Sequence, residues 1–311
     1  MSVKMDISEE VLNIMEHMAK TGEGTDGCLE RGFLPVPVHF YQPIPDLKDL
    51  DKRKVWDKVS TMPGIKFEPD KYWAFLSEIA ENYSDECKWI EDPINNAGEF
   101  FLNNDCFGYG CSSTLHCMIR HNKPKRVIEV GSGFSSKIIK AAIAANRAEG
   151  FEAKYTVVDP YSPYANRPMP EWMTIIDKQI EVLDLDIFKE LEENDILFID
   201  SSHVCKIGSD VNYEILEILP VLNKGVLIHF HDIPMPYEYH EVYAKNPSFR
   251  VFWNESYFLQ AFLQFNSDFE IILPVNYLQR TDRDRFNNIF PLGKEVKCWQ
   301  SEAFWIKRIK D

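Results

Sequence analysis

The sequence predicts an α/β protein built on a doubly wound, mainly parallel sheet, and three observations carry that prediction. Short apolar runs at 126–130, 155–159, 195–200 and 225–230 alternate with segments of helical periodicity. The first run passes directly into Gly131-Ser132-Gly133 and a helical pattern, which reads as strand, tight turn and helix. Two of the runs end in aspartate, Asp159 and Asp200, and the last is followed directly by His231 and Asp232, at the edge where open α/β sheets hold ligands.

Before the sheet, Ile7, Val11, Leu12, Ile14, Met15 and Met18 fall at helical spacing, and 21–27 breaks the pattern with three glycines. Residues 33–45, rich in proline and aromatics, predict an extended strap. A second amphipathic helix is expected over 71–83, a polar loop over 103–110 and a third helix over 112–121. Residues 1–120 thus form a helical and irregular cap, expected to lack a large core of its own and to pack on a sheet domain of 121–311.

Within the second domain, 137–147 is an alanine-rich helix closed by Gly150, and 173–182 holds a third strand. A short helical stretch is expected over 187–191 and helices over 211–221 and 252–263. Phe269 and Ala303 open two late strands able to pair antiparallel at one edge.

Thirty-four basic against 49 acidic side chains give a formal charge of −15, which argues against nucleic acid as a partner because phosphate binding needs a basic stripe. No apolar run is long enough to span a bilayer, and no leader pattern opens the chain, so a cytoplasmic protein without membrane contact is expected. The seven cysteines include no Cys-x-x-Cys pair, which predicts reduced, mostly buried thiols.

The glycine turn lacks the third glycine of a dinucleotide fingerprint, since Ser136 stands in its place, and a pyrophosphate cradle is disfavoured. Glu129, two residues before the turn, suits a cationic ligand instead. Gly131, Ser132, Gly133 and Ser135 are the expected cofactor contacts of the turn, and Asp159 the acid that reaches ribose hydroxyls. Glu181 is a candidate contact at the end of the third strand. Asp200-Ser-Ser-His203 leaves the fourth strand and His229-Phe-His-Asp232 the fifth, so Asp200, His203, His231 and Asp232 should converge on one crevice. Asp200 would also face the cofactor. His229 lies inside its strand and reads as a hydrogen-bonded core residue.

Residues 127–136, Val-Ile-Glu-Val-Gly-Ser-Gly-Phe-Ser-Ser, resemble motif I of the class I S-adenosylmethionine-dependent methyltransferases. Residues 195–203, 218–233 and 252–263 are similar to a bacterial and archaeal branch of that class, which includes metal-dependent sugar O-methyltransferases. The resemblance implies a Rossmann-like, seven-stranded doubly wound sheet and S-adenosyl-L-methionine as cofactor. It implies Asp200 and Asp232 as metal ligands, His203 as general base, and His231 at a place where relatives carry an acid. That histidine leaves the divalent metal open between magnesium, manganese and iron, and a metal-free reaction with His203 alone stays open as well. The implied activity is O-methylation of a small-molecule or sugar hydroxyl. A non-haem metal-dependent hydroxylase and a catalytically inactive cofactor-binding module are the alternatives. An apolar cap segment could support a homo-oligomer.

Overall fold

The computed structural model describes residues 7–93, 99–164, 167–291 and 301–310. Its strands are β1 Arg126–Val130, β2 Lys154–Val158, β3 Met173–Ile176, β4 Ile196–Ile199, β5 Leu227–Phe230, β6 Phe269–Pro274 and β7 Phe304–Arg308. They form the seven-stranded, doubly wound sheet that the sequence leads one to expect, in the order β3-β2-β1-β4-β5-β7-β6. The first five run parallel, and β7 inserts antiparallel to both β5 and β6.

Parallel strands must be covered on both faces, and the composition provides for it: every residue of β4 and β5 is buried, as are four of the five in β1. Each large aliphatic side chain withdrawn from water there contributes about 1.5–3 kcal/mol before chain entropy is charged against it. Helix Phe134–Ala148 follows β1 and buries Ile138, Ile139, Ala142 and Ile143 along one stripe. Helix Tyr109–Asn122 is buried from Tyr109 through Arg120 and packs beside it. Arg120 is only 3% exposed, and it is neutralised by Glu86 (Nε to Oε2 2.8 Å) and Glu149, with Asn146 as a further acceptor.

The helix expected over 211–221 is one continuous piece whose middle, Glu214–Ile218, opens into a π turn. Two helices without counterpart in the sequence reading, Val275–Thr281 and Arg283–Ile289, are short and polar, so they carry little periodicity. Asp282 separates them and caps the second by accepting the Arg285 N–H at 2.9 Å.

The chain divides into two compact units, one of Lys58–Tyr239 with Trp253–Asp311 and one of Met1–Asp57 with His240–Phe252. Residues 58–120, grouped with the cap in the sequence reading, therefore belong to the same unit as the sheet. In the smaller unit, helix Glu9–Thr21 starts at a Ser8 cap, ends at Gly22 and buries none of its residues. Residues 33–39 have no regular structure, in keeping with an extended strap. Lys245 there pairs with Asp51 at 2.6 Å and Glu241 at 2.7 Å.

Six cysteines lie among the described residues; all are free and four are buried. Cys298 lies outside the described residues. No helix among them is long and apolar enough to cross a membrane.

Candidate active site

The sheet order reverses between β1 and β4, which opens a crevice beyond their carboxyl ends. The backbone ladder continues one residue past the strands: Gly131 N–H donates to Val158 O, Asp159 N–H to Ile176 O, Asp200 N–H to Val130 O and His231 N–H to Ile199 O, all at 2.9–3.1 Å. Four of the expected site positions are thereby set by sheet register.

Gly131 has φ +80°, and a Cβ there would stand 2.0 Å from the Asp200 carbonyl oxygen. Only glycine fits. At Gly133 a Cβ would meet nothing within 4 Å, so that flank of the turn is open. Ser132 Oγ donates to Asp159 Oδ2 at 2.5 Å, and the Tyr161 N–H donates to Asp159 Oδ1 at 2.7 Å. Tyr164, from the loop after β2, donates its hydroxyl to Gly133 O at 3.0 Å.

Glu129 occupies a different place from the ligand-facing one expected of it. It is wholly buried, with Ser135 Oγ donating to one carboxyl oxygen and Ser136 Oγ to the other, each at 2.7 Å, and the Tyr155 hydroxyl as a third donor. Burial pushes its pKa up to about 7, against the three hydroxyls, which favour the ionised form. Ser136, standing where a dinucleotide fingerprint has glycine, also accepts the Gly133 N–H at 3.1 Å. Glu129 and Ser135 thus brace the turn from inside. Glu181 sits in the single 3-10 turn Ile180–Val182, five residues beyond the last residue of β3, rather than at the strand end.

Asp200, His203, His231 and Asp232 do converge. His203 Nε2 lies 3.4 Å from Asp200 Oδ1 and 3.4 Å from Asp232 Oδ2. His231 Nδ1 is 3.2 Å from Asp232 Oδ1 and 3.7 Å from Asp200 Oδ1. Burial opposes charge on both imidazoles, but the surrounding carboxylates outweigh it, and both are held well above the ordinary histidine range. Conversely, burial disfavours the Asp200 carboxylate, but His231 and His203 overcome it and bring the pKa below the usual range. His203 and Asp232 both adopt left-handed backbone, φ +59° and +54°, a conformation that bulky residues keep only where the surroundings enforce it.

A cation would fit part of this cluster. Asp200, His231 and Asp232 each offer one donor atom, and the three lie within 4.8 Å of one another. Neither ring nitrogen of the buried His231 makes an aligned hydrogen bond among the described residues, and Nδ1 is held by its 3.2 Å ion contact with Asp232. Two carboxylates and an imidazole are a donor set that suits a divalent cation. Phe107 stacks on this ring, centroids 4.9 Å apart, and limits its rotation.

His229 is the core residue expected, stacked on Phe198 at 4.1 Å, but neither ring nitrogen has a hydrogen-bond partner among the described residues. Burial, with His231 nearby, drives its pKa well below the usual value, and the ring stays neutral. Sequence reasoning missed Glu255, which is 1% exposed and accepts from His203 Nδ1 at 2.8 Å. Its signal was an acid at the start of an otherwise apolar helix.

The sheet order, the glycine turn after β1, the acid after β2 and the cluster beyond β4 and β5 define a class I S-adenosylmethionine-dependent methyltransferase. Residues 128–233 match the family described as a methyltransferase domain, and the chain belongs to it. Among curated relatives, an uncharacterised protein of Archaeoglobus fulgidus is 30% identical over 183 residues, covering 56% of this chain and 80% of the relative. Similar solved structures include the O-methyltransferase TomG from Streptomyces achromogenes in complex with SAM, at 12% identity and TM-score 0.36, covering 79% of this chain and 92% of that one. The MycE methyltransferase of the mycinamycin pathway, in complex with Mg, SAH and mycinamycin VI, is 13% identical with TM-score 0.33 and covers 76% of this chain and 53% of its own.

Proposed function

We propose that the protein transfers the methyl group of S-adenosylmethionine to a hydroxyl of a small-molecule acceptor, with a sugar as the leading class. The observation that carries this reading is His203. Its Nε2 faces two carboxylates at the carboxyl ends of β4 and β5, while its other nitrogen is engaged behind it. Nε2 is therefore the nitrogen on the side of the cluster, and it acts as a base once the ring has given up the proton that the carboxylates favour.

In this reading the glycine turn and Asp159 would hold the cofactor, with Asp159, oriented by Ser132 and Tyr161, as the acceptor for ribose hydroxyls. His203 Nε2 takes the acceptor O–H proton. The oxygen lone pair then forms the bond to the methyl carbon as the carbon–sulfur bond breaks, and S-adenosylhomocysteine leaves. Collinear alignment of oxygen, carbon and sulfur is the main contribution of the site.

Asp200, His231 and Asp232 would hold a divalent cation, which would bind an acceptor hydroxyl and favour its ionisation. One imidazole among two carboxylates suits manganese, iron, cobalt or zinc better than magnesium. The three residues placed to share a cation include one histidine where iron oxygenases use two, and the second histidine beside them, His203, is assigned here to the proton.

The test combines calorimetric titration of S-adenosylmethionine with assay of S-adenosylhomocysteine release over a panel of sugars and phenols, with and without manganese. Asp159→Ala should weaken cofactor binding about 10- to 100-fold, by analogy with the loss of charge-assisted bonds. His203→Ala should leave binding intact and lower turnover about 10²- to 10⁴-fold. No measurable cofactor binding, or full turnover in His203→Ala, would overturn the reading.

A further inference from the structure

Taking His203 as the base, on which this step rests, we propose that Trp253-Asn254-Glu255 is the device that holds it in working geometry, with Glu255 as a positioning residue that selects the tautomer.

A neutral imidazole exchanges between two tautomers, and only the one with the proton on Nδ1 presents a lone pair at Nε2. A carboxylate can only accept, so Glu255 Oε2, 2.8 Å from His203 Nδ1, selects that form. Glu255 is 1% exposed, and water does not compete for the bond. Burial raises the Glu255 pKa, and the bond to His203 and the dipole of helix Glu255–Leu263, in whose first turn it lies, work the other way and favour the anion.

The same segment grips the main chain of the base. His203 O accepts the N–H groups of Asn254 and Glu255, at 3.1 and 3.2 Å, which satisfies two donors at that helix start. Asn254 Oδ1 accepts the Cys205 N–H at 2.6 Å, and the Trp253 ring lies 4.6 Å from the imidazole. Backbone and ring are therefore both fixed from one short stretch, which explains how His203 keeps φ +59°. A carboxylate serving only to pack the loop would need no bond to the imidazole.

The experiment reads the histidine nitrogens directly, by NMR of ¹⁵N-histidine-labelled full-length protein saturated with S-adenosylmethionine, at a pH where His203 is neutral. In the unaltered protein His203 should carry its proton on Nδ1. Glu255→Ala should show a mixture with the Nε2–H form and lower kcat roughly 10²-fold, with the cofactor Kd within about twofold of the unaltered protein. Glu255→Gln, which keeps an acceptor oxygen, should restore the Nδ1–H form and at least about a tenfold share of the lost kcat. Should Glu255→Ala fail to fold, Glu255→Gln and Asn254→Ala stand in its place, the latter lowering kcat about tenfold by releasing the 203–205 loop. The proposal is overturned if His203 keeps a pure Nδ1–H state in Glu255→Ala, or if kcat there is unchanged while His203→Ala abolishes turnover. Full turnover in His203→Ala would instead remove the base assignment, and the tautomer signal would still decide what Glu255 does to the ring.

Discussion

Glu129 shows how far one residue's environment changes its job. The same carboxylate that reads as a ligand for a cation is enclosed by Ser135, Ser136 and Tyr155, with a pKa near 7 against 4.5 for an exposed glutamate. A raised folded-state pKa gives stability that is fully present below pH 4.5 and is lost as the pH rises through about 7. Glu129→Gln, keeping the shape and removing the titration, should therefore flatten the stability profile over that window. The difference to be recovered at alkaline pH is at most about 3 kcal/mol, read from urea midpoints across pH. Gly131→Ala should be more damaging, because the added methyl meets the Asp200 carbonyl oxygen in a backbone conformation that alanine avoids. A loss of about 2–4 kcal/mol and of detectable cofactor binding is expected, measured by thermal unfolding and calorimetry.

At the level of elements, helix Tyr109–Asn122 carries charge into the interior only because its neighbours answer it. Arg120 binds Glu86 from the chain segment before the helix and Asn146 and Glu149 from the end of helix Phe134–Ala148, tying two helices together. Arg120→Ala should cost about 2–4 kcal/mol, at the lower part of the range for a broken buried pair because Glu86 and Glu149 keep some contact with water. A urea midpoint unchanged from the unaltered protein would contradict this. The central strands β1, β4 and β5 were legible because both faces are buried and apolar runs mark them, whereas β3, at the sheet edge and buried only at Met173, ends at Ile176 rather than at 182. The π turn at Glu214–Ile218 left no such mark, since its register change depends on what the helix packs against. Helices Val275–Thr281 and Arg283–Ile289 escaped for a related reason: two turns of mixed polarity give no periodicity to read.

For the whole molecule, the reversal of strand order between β1 and β4 brings the glycine turn and the polar cluster to one edge of the sheet, and both proposed ligands would need the folded chain to bind. S-adenosylmethionine at a hundred times its Kd should stabilise the fold by about 2.7 kcal/mol, raising the thermal midpoint by a few degrees. Manganese should add to that shift in the unaltered protein and fail to do so in His231→Ala, which is checked by the same melt. A metal-induced shift that survives His231→Ala would remove that residue from the proposed ligand set.

What the sequence determined by itself is whatever depends on neighbours in the chain or on a repeating pattern: the alternation of strand and helix, the glycine turn, and the acids and histidines at strand ends. These follow from local sterics and from the period at which apolar side chains must meet a core. Only the folded chain decided which side each polar group faces and what answers it. Glu129 turned inward to serine and tyrosine hydroxyls, and Glu255 met His203 across 52 positions of sequence. A carboxylate's role is set by the donors and the water around it, and those come from segments that the linear order keeps apart.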